Sequence, residues 1–237
     1  MMKPLPLLDE TLETFGESKL QILQKKRGYR FSADAILLSE FVRIQRDERA
    51  IDLGTGCGIL PLLLSQTTKV RSFLGVEVQK TLADLAERNV VLNHFQHGIT
   101  ILHEDYRTLP QIFPAGSFHV VVSNPPYRKF RSGRVNPSHE KGIARHEIYG
   151  AIDDLVSVAA YLLPPKGRFY LIFPASRAVD AIASLRRNTL EPKRIRFVHP
   201  YAGSGAKFVL VESVKDSGVE LKIMAPLILH EVKPWRV

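Results

Sequence analysis

An acid followed by three glycines at alternate positions restricts this chain more than any other feature, because of what flanks it. Residues 48–53 (ERAIDL) read as a strand, residues 52–58 (DLGTGCG) as a tight loop, and residues 59–66 as an apolar helix. The pattern then recurs. Residues 72–77 (SFLGVE) read as a second strand, and residues 81–94 place Leu82, Leu85, Ala86, Asn89, Val90 and Asn93 at helical spacing. Residues 99–103 and 118–123 are β-rich and stand as third and fourth strands. Residues 152–163 read as helix, 167–173 as strand and 178–187 as helix. Two further β-rich runs, 194–198 and 207–214, are split only by a turn around Gly203, Ser204 and Gly205, so they are predicted to pair antiparallel at one sheet edge.

Strands alternating with helices imply an α/β protein whose mainly parallel sheet is covered on both faces. On such a sheet, ligands bind where the strands end. With 237 residues and 45% hydrophobic content the chain suits one compact domain. No run approaches the ~18–20 apolar residues of a membrane span, and the N-terminal 15 residues lack the basic start and apolar core of a signal peptide. A soluble, cytoplasmic protein is expected. Cys57 is the sole cysteine, which excludes an intrachain disulfide and a cysteine-based zinc cluster, and His94, His97, His103, His119 and His139 show no ligand spacing, so no metal is expected. The formal charge of +9 and pI near 9.7 favour a polyanionic partner, although charge alone does not establish one.

Gly54, Gly56 and Gly58 let the backbone turn sharply after a strand and approach a ligand closely at a helix start. The spacing is G-x-G-x-G behind Asp52, not the G-x-G-x-x-G of dinucleotide sites, so S-adenosylmethionine fits better than NAD. Glu77, closing the second strand, stands where an acid accepts both ribose hydroxyls. Asp105 is a candidate acceptor for an adenine amino group with Tyr106 near the ring, and Glu104 is a rival for the same role. Singly, each acid is equally a solvated strand end. Their recurrence at successive strand ends argues for a cofactor site.

The fourth strand runs directly into Asn124, Pro125, Pro126 and Tyr127. Two prolines stop the strand and hold the chain extended, leaving the Pro125 carbonyl with no competing amide at Pro126. An adenine N6 amine is a poor nucleophile because its lone pair is delocalised into the ring. The Asn124 side-chain oxygen and the Pro125 carbonyl, taking both N6 hydrogens, would favour the pyramidal amine and stabilise the charge developing on it. No strong general base is then required, and alignment is the main task. Tyr127 offers a face on which a flipped base can stack.

Arg128, Lys129, Arg131, Arg134, Lys141 and Arg145 cluster in the irregular stretch 128–150, where phosphates flanking such a base would lie. Lys25, Lys26, Arg27 and Arg30 form a second basic group that is equally read as ordinary surface. His146 is read as ordering its loop through Glu147 or Arg145, and Cys57 as a small residue of the glycine loop rather than a nucleophile.

DLGTGCG at 52–58 combined with NPPY at 124–127 resembles the class I methyltransferases that act on exocyclic or side-chain amino groups. More narrowly, YRFSADAILL at 29–38, Asn136-Pro137, ARHE at 144–147 and EPKRIRFVHP at 191–200 resemble the bacterial tRNA1(Val) adenine-37 N6-methyltransferases, over about residues 15–230. The resemblance implies a Rossmann-like seven-stranded sheet of order 3-2-1-4-5-7-6 with the last-numbered strand antiparallel and helices on both faces. It implies that residues 1–45 form an extension covering the cofactor site, with Phe31 and Asp34 helping, and that 46–237 form the catalytic domain. The expected cofactor set is then Phe31, Asp34, Asp52, Gly54, Thr55, Gly56, Gly58, Glu77, Asp105, Tyr106 and Asn124, with tRNA as the partner. A protein glutamine N5-methyltransferase, a DNA adenine methyltransferase and a non-catalytic RNA-binding protein remain the alternatives, and the oligomeric state is open.

Overall fold

The structure is a computed structural model that describes residues 4–15, 20–27, 30–31, 33–68, 70–125 and 152–231. Among these, the chain runs through β1 (Glu10–Phe15), β2 (Leu20–Lys25), α1 (Ala33–Phe41), β3 (Arg49–Leu53), α2 (Ile59–Thr68), β4 (Ser72–Glu77) and α3 (Lys80–Leu92). It continues with β5 (Ile99–His103), a single turn α4 (Leu109–Ile112), β6 (Val120–Ser123), α5 (Ile152–Leu162), β7 (Arg168–Pro174) and α6 (Ala178–Arg187). The last elements are β8 (Leu190–His199), β9 (Phe208–Lys215) and the short β10 (Lys222–Ile223) and β11 (Leu227–Ile228).

The main sheet has the order β10-β8-β9-β7-β6-β3-β4-β5, with β11 also on β8. Strands β5, β4, β3, β6 and β7 are mutually parallel, and β9 is antiparallel to both β7 and β8. Leaving out β10 and β11, this is the order implied by the family resemblance, a Rossmann-like α/β fold. The unbroken apolar runs are explained by burial on both faces. In β7, Tyr170 and Ile172 join the core under α1, α2 and α3, while Phe169, Leu171 and Phe173 join the core under α5 and α6. Strand β6 divides the same way, with Val120 and Val122 on one side and Val121 on the other. No helix among the described residues is long and apolar enough to cross a membrane.

The closing antiparallel pair differs from the sequence expectation in two respects. Strand β8 starts at Leu190 because Pro192 sits at a register shift between Pro192 and Arg194, an irregularity that spares the ladder the missing amide. Nor is β8 the outermost strand, since β10 and β11 pair with it in parallel.

Residues ahead of β3 are part of the same packing. In α1, Ile36, Leu37, Leu38 and Phe41 are buried, and the Phe41 ring meets Tyr170 edge-on at 6.2 Å. The hairpin of β1 and β2 is fastened to α3 by side chains acting as strand rungs. Asn89 Oδ1 accepts from Leu23 N at 2.7 Å while its Nδ2 donates to Leu23 O at 3.0 Å. Asn93 does the same with Gln21, at 2.9 and 2.7 Å. The match is geometric: four helical residues rise ~6 Å, close to the ~6.6 Å of two strand residues. Alongside, Glu10 is buried against a bidentate Arg88, at 2.7 and 2.8 Å, and accepts from Leu7 N at 2.9 Å. Burial works to raise the Glu10 carboxyl, but Arg88 and the Leu7 amide outweigh it and hold it below the ordinary value.

Asn89 also donates from Nδ2 to Cys57 O at 2.9 Å, and Asn93 from Nδ2 to Asn89 O at 2.8 Å. All three partners of Asn89 are buried, whereas the Gln21 groups that Asn93 meets are half-buried and Asn89 O keeps the Asn93 amide as a donor. Urea denaturation is expected to show Asn89→Ala losing about 3 kcal/mol and Asn93→Ala distinctly less.

Candidate active site

Parallel strands end on one edge, and the order β5-β4-β3-β6 makes their exits neighbours there. The exits are Glu104 to Tyr106 after β5, Glu77 closing β4, the 54–58 loop after β3 and Asn124 after β6. At ~4.8 Å per strand, the four exits span ~14 Å. Sequence-distant candidates are thereby brought into one row.

The glycine loop is held by strand β4. The amides of Gly54 and Thr55 both donate to Val76 O at 2.9 Å. Gly54 and Gly58 adopt positive φ of 82° and 83°, a region that disfavours side chains. Around Gly54 nothing lies within 4 Å of where a Cβ would stand, whereas a Cβ on Gly58 would meet Ala86 at 3.2 Å. Gly54 therefore opens the loop outward, and Gly58 lets α3 close against it. Gly75 in β4 is needed for a different reason: a Cβ there would lie 3.0 Å from Thr55 and 2.9 Å from Ile101.

Two acids are buried beside this loop. Glu77 accepts from Gly56 N and from Gln79 N, each at 2.9 Å, one on either carboxylate oxygen. Those bonds orient it and leave a second acceptor position on each oxygen. Burial raises its carboxyl above the ordinary value against the pull of these amides. Asp52 is fully buried, and neither its carboxylate oxygens nor the Thr55 hydroxyl has a hydrogen-bond partner. Burial pushes Asp52 up to about 7, and the Glu77 charge adds to the rise. Neither acid is ion-paired among the described residues. Two buried acids with spare acceptor positions, next to an open loop, suit a cationic ligand that carries hydroxyl groups.

At the next exit Asp105 is already engaged. Its side chain caps Arg107 N at 3.0 Å and accepts from Arg107 Nε at 3.0 and 3.1 Å. Burial acts to raise Asp105, but Arg107 holds it below the usual carboxylate range. Glu104 Oε1 accepts from Asp105 N at 3.1 Å, and Tyr106 is half-buried against the α5 side of the core. On the far side, the Ser123 hydroxyl donates to Leu53 O at 2.7 Å, tying the end of β6 to the end of β3 one residue before Asn124. Asn124 and Pro125 are half-buried.

Phe31 and Asp34 lie on the hairpin side. The Phe31 ring packs edge-on to Phe15 at 5.0 Å, its amide donates to Gln24 Oε1 at 3.2 Å, and Asp34 is buried in the first turn of α1. Their connection to the loop runs through β2 and Asn89 to Cys57. Asn89 is a residue the spacing places on the helix but gives no function; its signal is a polar residue on the apolar face of a helix, since buried amides require partners. Ser123 left no comparable signal. Cys57 is buried, and burial raises its thiol to about 12, which suits a packing role and not a nucleophile. The basic group at 25–30 is largely occupied on the hairpin, where Lys25 pairs with Asp9 at 2.8 Å, Lys26 donates to Leu8 O and Arg30 pairs with Glu13. Tyr127, Arg128, Lys129, Arg131, Arg134, Lys141 and Arg145, with His146 and Glu147, lie outside the described residues.

Known proteins share both the sequence and the fold. The methyltransferase small domain family matches residues 32–187. A tRNA1(Val) (adenine(37)-N6)-methyltransferase of Tolumonas auensis is 31% identical, over 72% of this chain and 70% of that protein. Another of the same description, from a Flavobacteriaceae bacterium, is 28% identical over 78% of this chain and 82% of its own length. The crystal structure of a predicted O-methyltransferase from Agrobacterium tumefaciens superposes with a TM-score of 0.68 at 25% identity, covering 83% of this chain and 88% of that one.

Glycine loop, buried acids and sheet order together define a class I, S-adenosylmethionine-dependent methyltransferase. The chain belongs to the methyltransferase small domain family and, within it, to the tRNA1(Val) (adenine(37)-N6)-methyltransferases.

Asp52 also sets a pH dependence. The unfolded chain releases this proton near 3.8 and the folded protein near 7, so the contribution is complete below the first value and lost as pH rises through the second. About three pH units correspond to roughly 4 kcal/mol. The melting temperature of the ligand-free protein, followed by calorimetry from pH 5 to pH 8, is expected to fall with rising pH. Asp52→Asn should flatten that slope, and an unchanged slope would remove Asp52 as its source.

Proposed function

We propose that this enzyme transfers a methyl group to N6 of an adenine in tRNA, adenine 37 of tRNA1(Val), as the names of its relatives state for them. The observation that carries the reading is the placement of Asn124, at the exit of β6, beside the glycine loop that leaves β3. The acceptor and the cofactor loop thus sit on adjacent strands.

In this reading Gly54, Thr55, Gly56 and Gly58 lie along the cofactor, Glu77 accepts from its ribose, and Asp52 lies beneath it, where the cofactor's positive charge would favour its ionised form. Asp105 or Glu104 meets the adenine amino group, with Tyr106 near the ring. Asp105 already satisfies Arg107, which favours Glu104 as its rival. Residues 1–45, with Phe31 and Asp34, cover this site, and 46–237 carry catalysis. When bound, S-adenosylmethionine supplies an electrophilic methyl group. The chain's own residues do the remaining work. Asn124 Oδ1 and the Pro125 carbonyl accept the two N6 hydrogens, which turns the amine lone pair out of conjugation and aims it. Tyr127 stacks on the flipped base, and the cations from Arg128 to Arg145 meet the flanking phosphates.

Incubation with labelled S-adenosylmethionine and unmodified total tRNA, followed by nucleoside mass spectrometry, is expected to yield N6-methyladenosine in one tRNA. Label found only in an added release factor would assign a glutamine amide instead. Asn124→Ala is expected to abolish transfer while cofactor binding stays within about twofold, because only the charge developing on N6 is left unsupported; full turnover would overturn the mechanism. For Glu77→Ala, calorimetry should show cofactor affinity reduced at least about tenfold, the loss of hydrogen bonds to a charged acceptor. Undiminished affinity would remove the ribose assignment.

A further inference from the structure

Strand β8 runs in the direction of β7, because each is antiparallel to β9, so the turn after His199 emerges on the same edge as Asn124. From β6 the order is β7, β9, β8, three strand spacings or ~14 Å. At ~3.4 Å per stacked nucleotide that is about four nucleotides of a single strand.

This turn holds an aromatic ring out in water. Tyr201 is 59% exposed, and its ring lies 6.3 Å from that of exposed His230 at a tilt of 44°. The support beneath is extensive. Ser204 N and Oγ both donate to Tyr201 O, at 3.1 and 2.7 Å, and Tyr201 N donates back to Ser204 Oγ at 3.3 Å. His199 Nδ1 donates to Ser204 O at 2.7 Å, and His230 N donates to Pro200 O at 3.2 Å. Gly203 takes the positive φ of 80° that closes the turn. A loop this well bonded spends its rigidity on a ring that contributes little to the core.

The surrounding charge suits a polyanion. Residues 199–207 (HPYAGSGAK) contain no acid, and Lys207 is exposed at the end of the turn. Lys207 O accepts from Ala175 N at 3.1 Å, which joins this turn to the exit of β7, the strand next to β6. Between them Arg177 covers the buried Phe173 ring at 4.9 Å and pairs with Asp180 at 3.3 Å. The exposed aromatic faces and the exposed cation of this edge are therefore those of Tyr201, His230 and Lys207.

We propose that Tyr201 and His230 form a preorganised stacking platform for a base of the RNA strand flanking the target adenine, with Lys207 meeting the adjacent phosphate. Single-stranded RNA is gripped by aromatic faces that every base can use, and by cations that follow its backbone. The proposal rests on the reading that the substrate is RNA, and it adds a contact surface some 14 Å from the reacting base.

The test is steady-state methylation of unmodified tRNA by Tyr201→Ala, Tyr201→Phe and Lys207→Ala, with calorimetric cofactor affinity and melting temperature as controls. Tyr201→Ala is expected to raise the tRNA KM about tenfold, within the range for loss of one stacked base. Its kcat, cofactor affinity and melting temperature should stay near those of the unaltered protein, and Tyr201→Phe should behave normally because the ring is kept. Lys207→Ala is expected to lower the slope of log affinity against log salt by about one. An unchanged KM in Tyr201→Ala, a Phe variant as impaired as Ala, or a change of oligomeric mass on ring removal would overturn the platform while leaving the tRNA reading intact. Failure of the unaltered enzyme to methylate any RNA would overturn both.

Discussion

Everything in this molecule depends on the direction of five parallel strands and on one reversal in their order. From β3 the chain steps outward through β4 to β5, then returns to place β6 on the other side of β3. Parallel strands joined by crossovers deliver all their exits to one edge, and the reversal separates the connections after β3 and β6 onto opposite faces. A cleft follows from that divergence. The glycine loop lies on one side of it and Asn124 on the other, so the two are brought together without being near each other in sequence.

The electrostatics of the cleft run against those of the whole protein. A chain with a formal charge of +9 keeps two carboxylic acids, Asp52 and Glu77, buried where β3 and β4 end, and neither is neutralised by an ion pair among the described residues. Each is costly in the ligand-free fold, which is why burial raises both. In the proposed reading a cationic cofactor would recover that cost on binding, which would give the ligand-free cost and a preference for positive charge one origin.

The hairpin ahead of the catalytic core shows how polar residues can organise a cofactor loop from a distance. Asn89 and Asn93 complete the open edge of β2 with side-chain amides in place of another strand. Asn89 extends the same network to Cys57 within the glycine loop. Docking of the hairpin and the shape of the loop thus share a buried side chain, and loosening one strains the other.

The strands from β3 to β7 and the helices between them could be read before folding because each carries its own period and its own punctuation. Residues 72–77, 99–103 and 178–187 end in the structure where hydrophobic pattern and turn chemistry put them. The glycine loop was equally readable, since a backbone that needs positive φ restricts residue type locally. Strands β1, β2, β10 and β11 were not. Short or amphipathic segments of this kind form only where a partner offers a ladder or an amide, and that partner is far away in the chain. Asp105 illustrates the same limit, because its role was inferred from its place at a strand exit while its bonds to Arg107 depend on side-chain reach. The alternation of strands and helices and the spacing of glycines and acids determined, by local chemistry alone, that this chain is a methyltransferase-like α/β protein. Which exits face each other, which acids are buried without an ion pair among the described residues and which aromatic stands exposed on the same edge were decided only by tertiary structure, because these are distances between residues that sequence order does not relate.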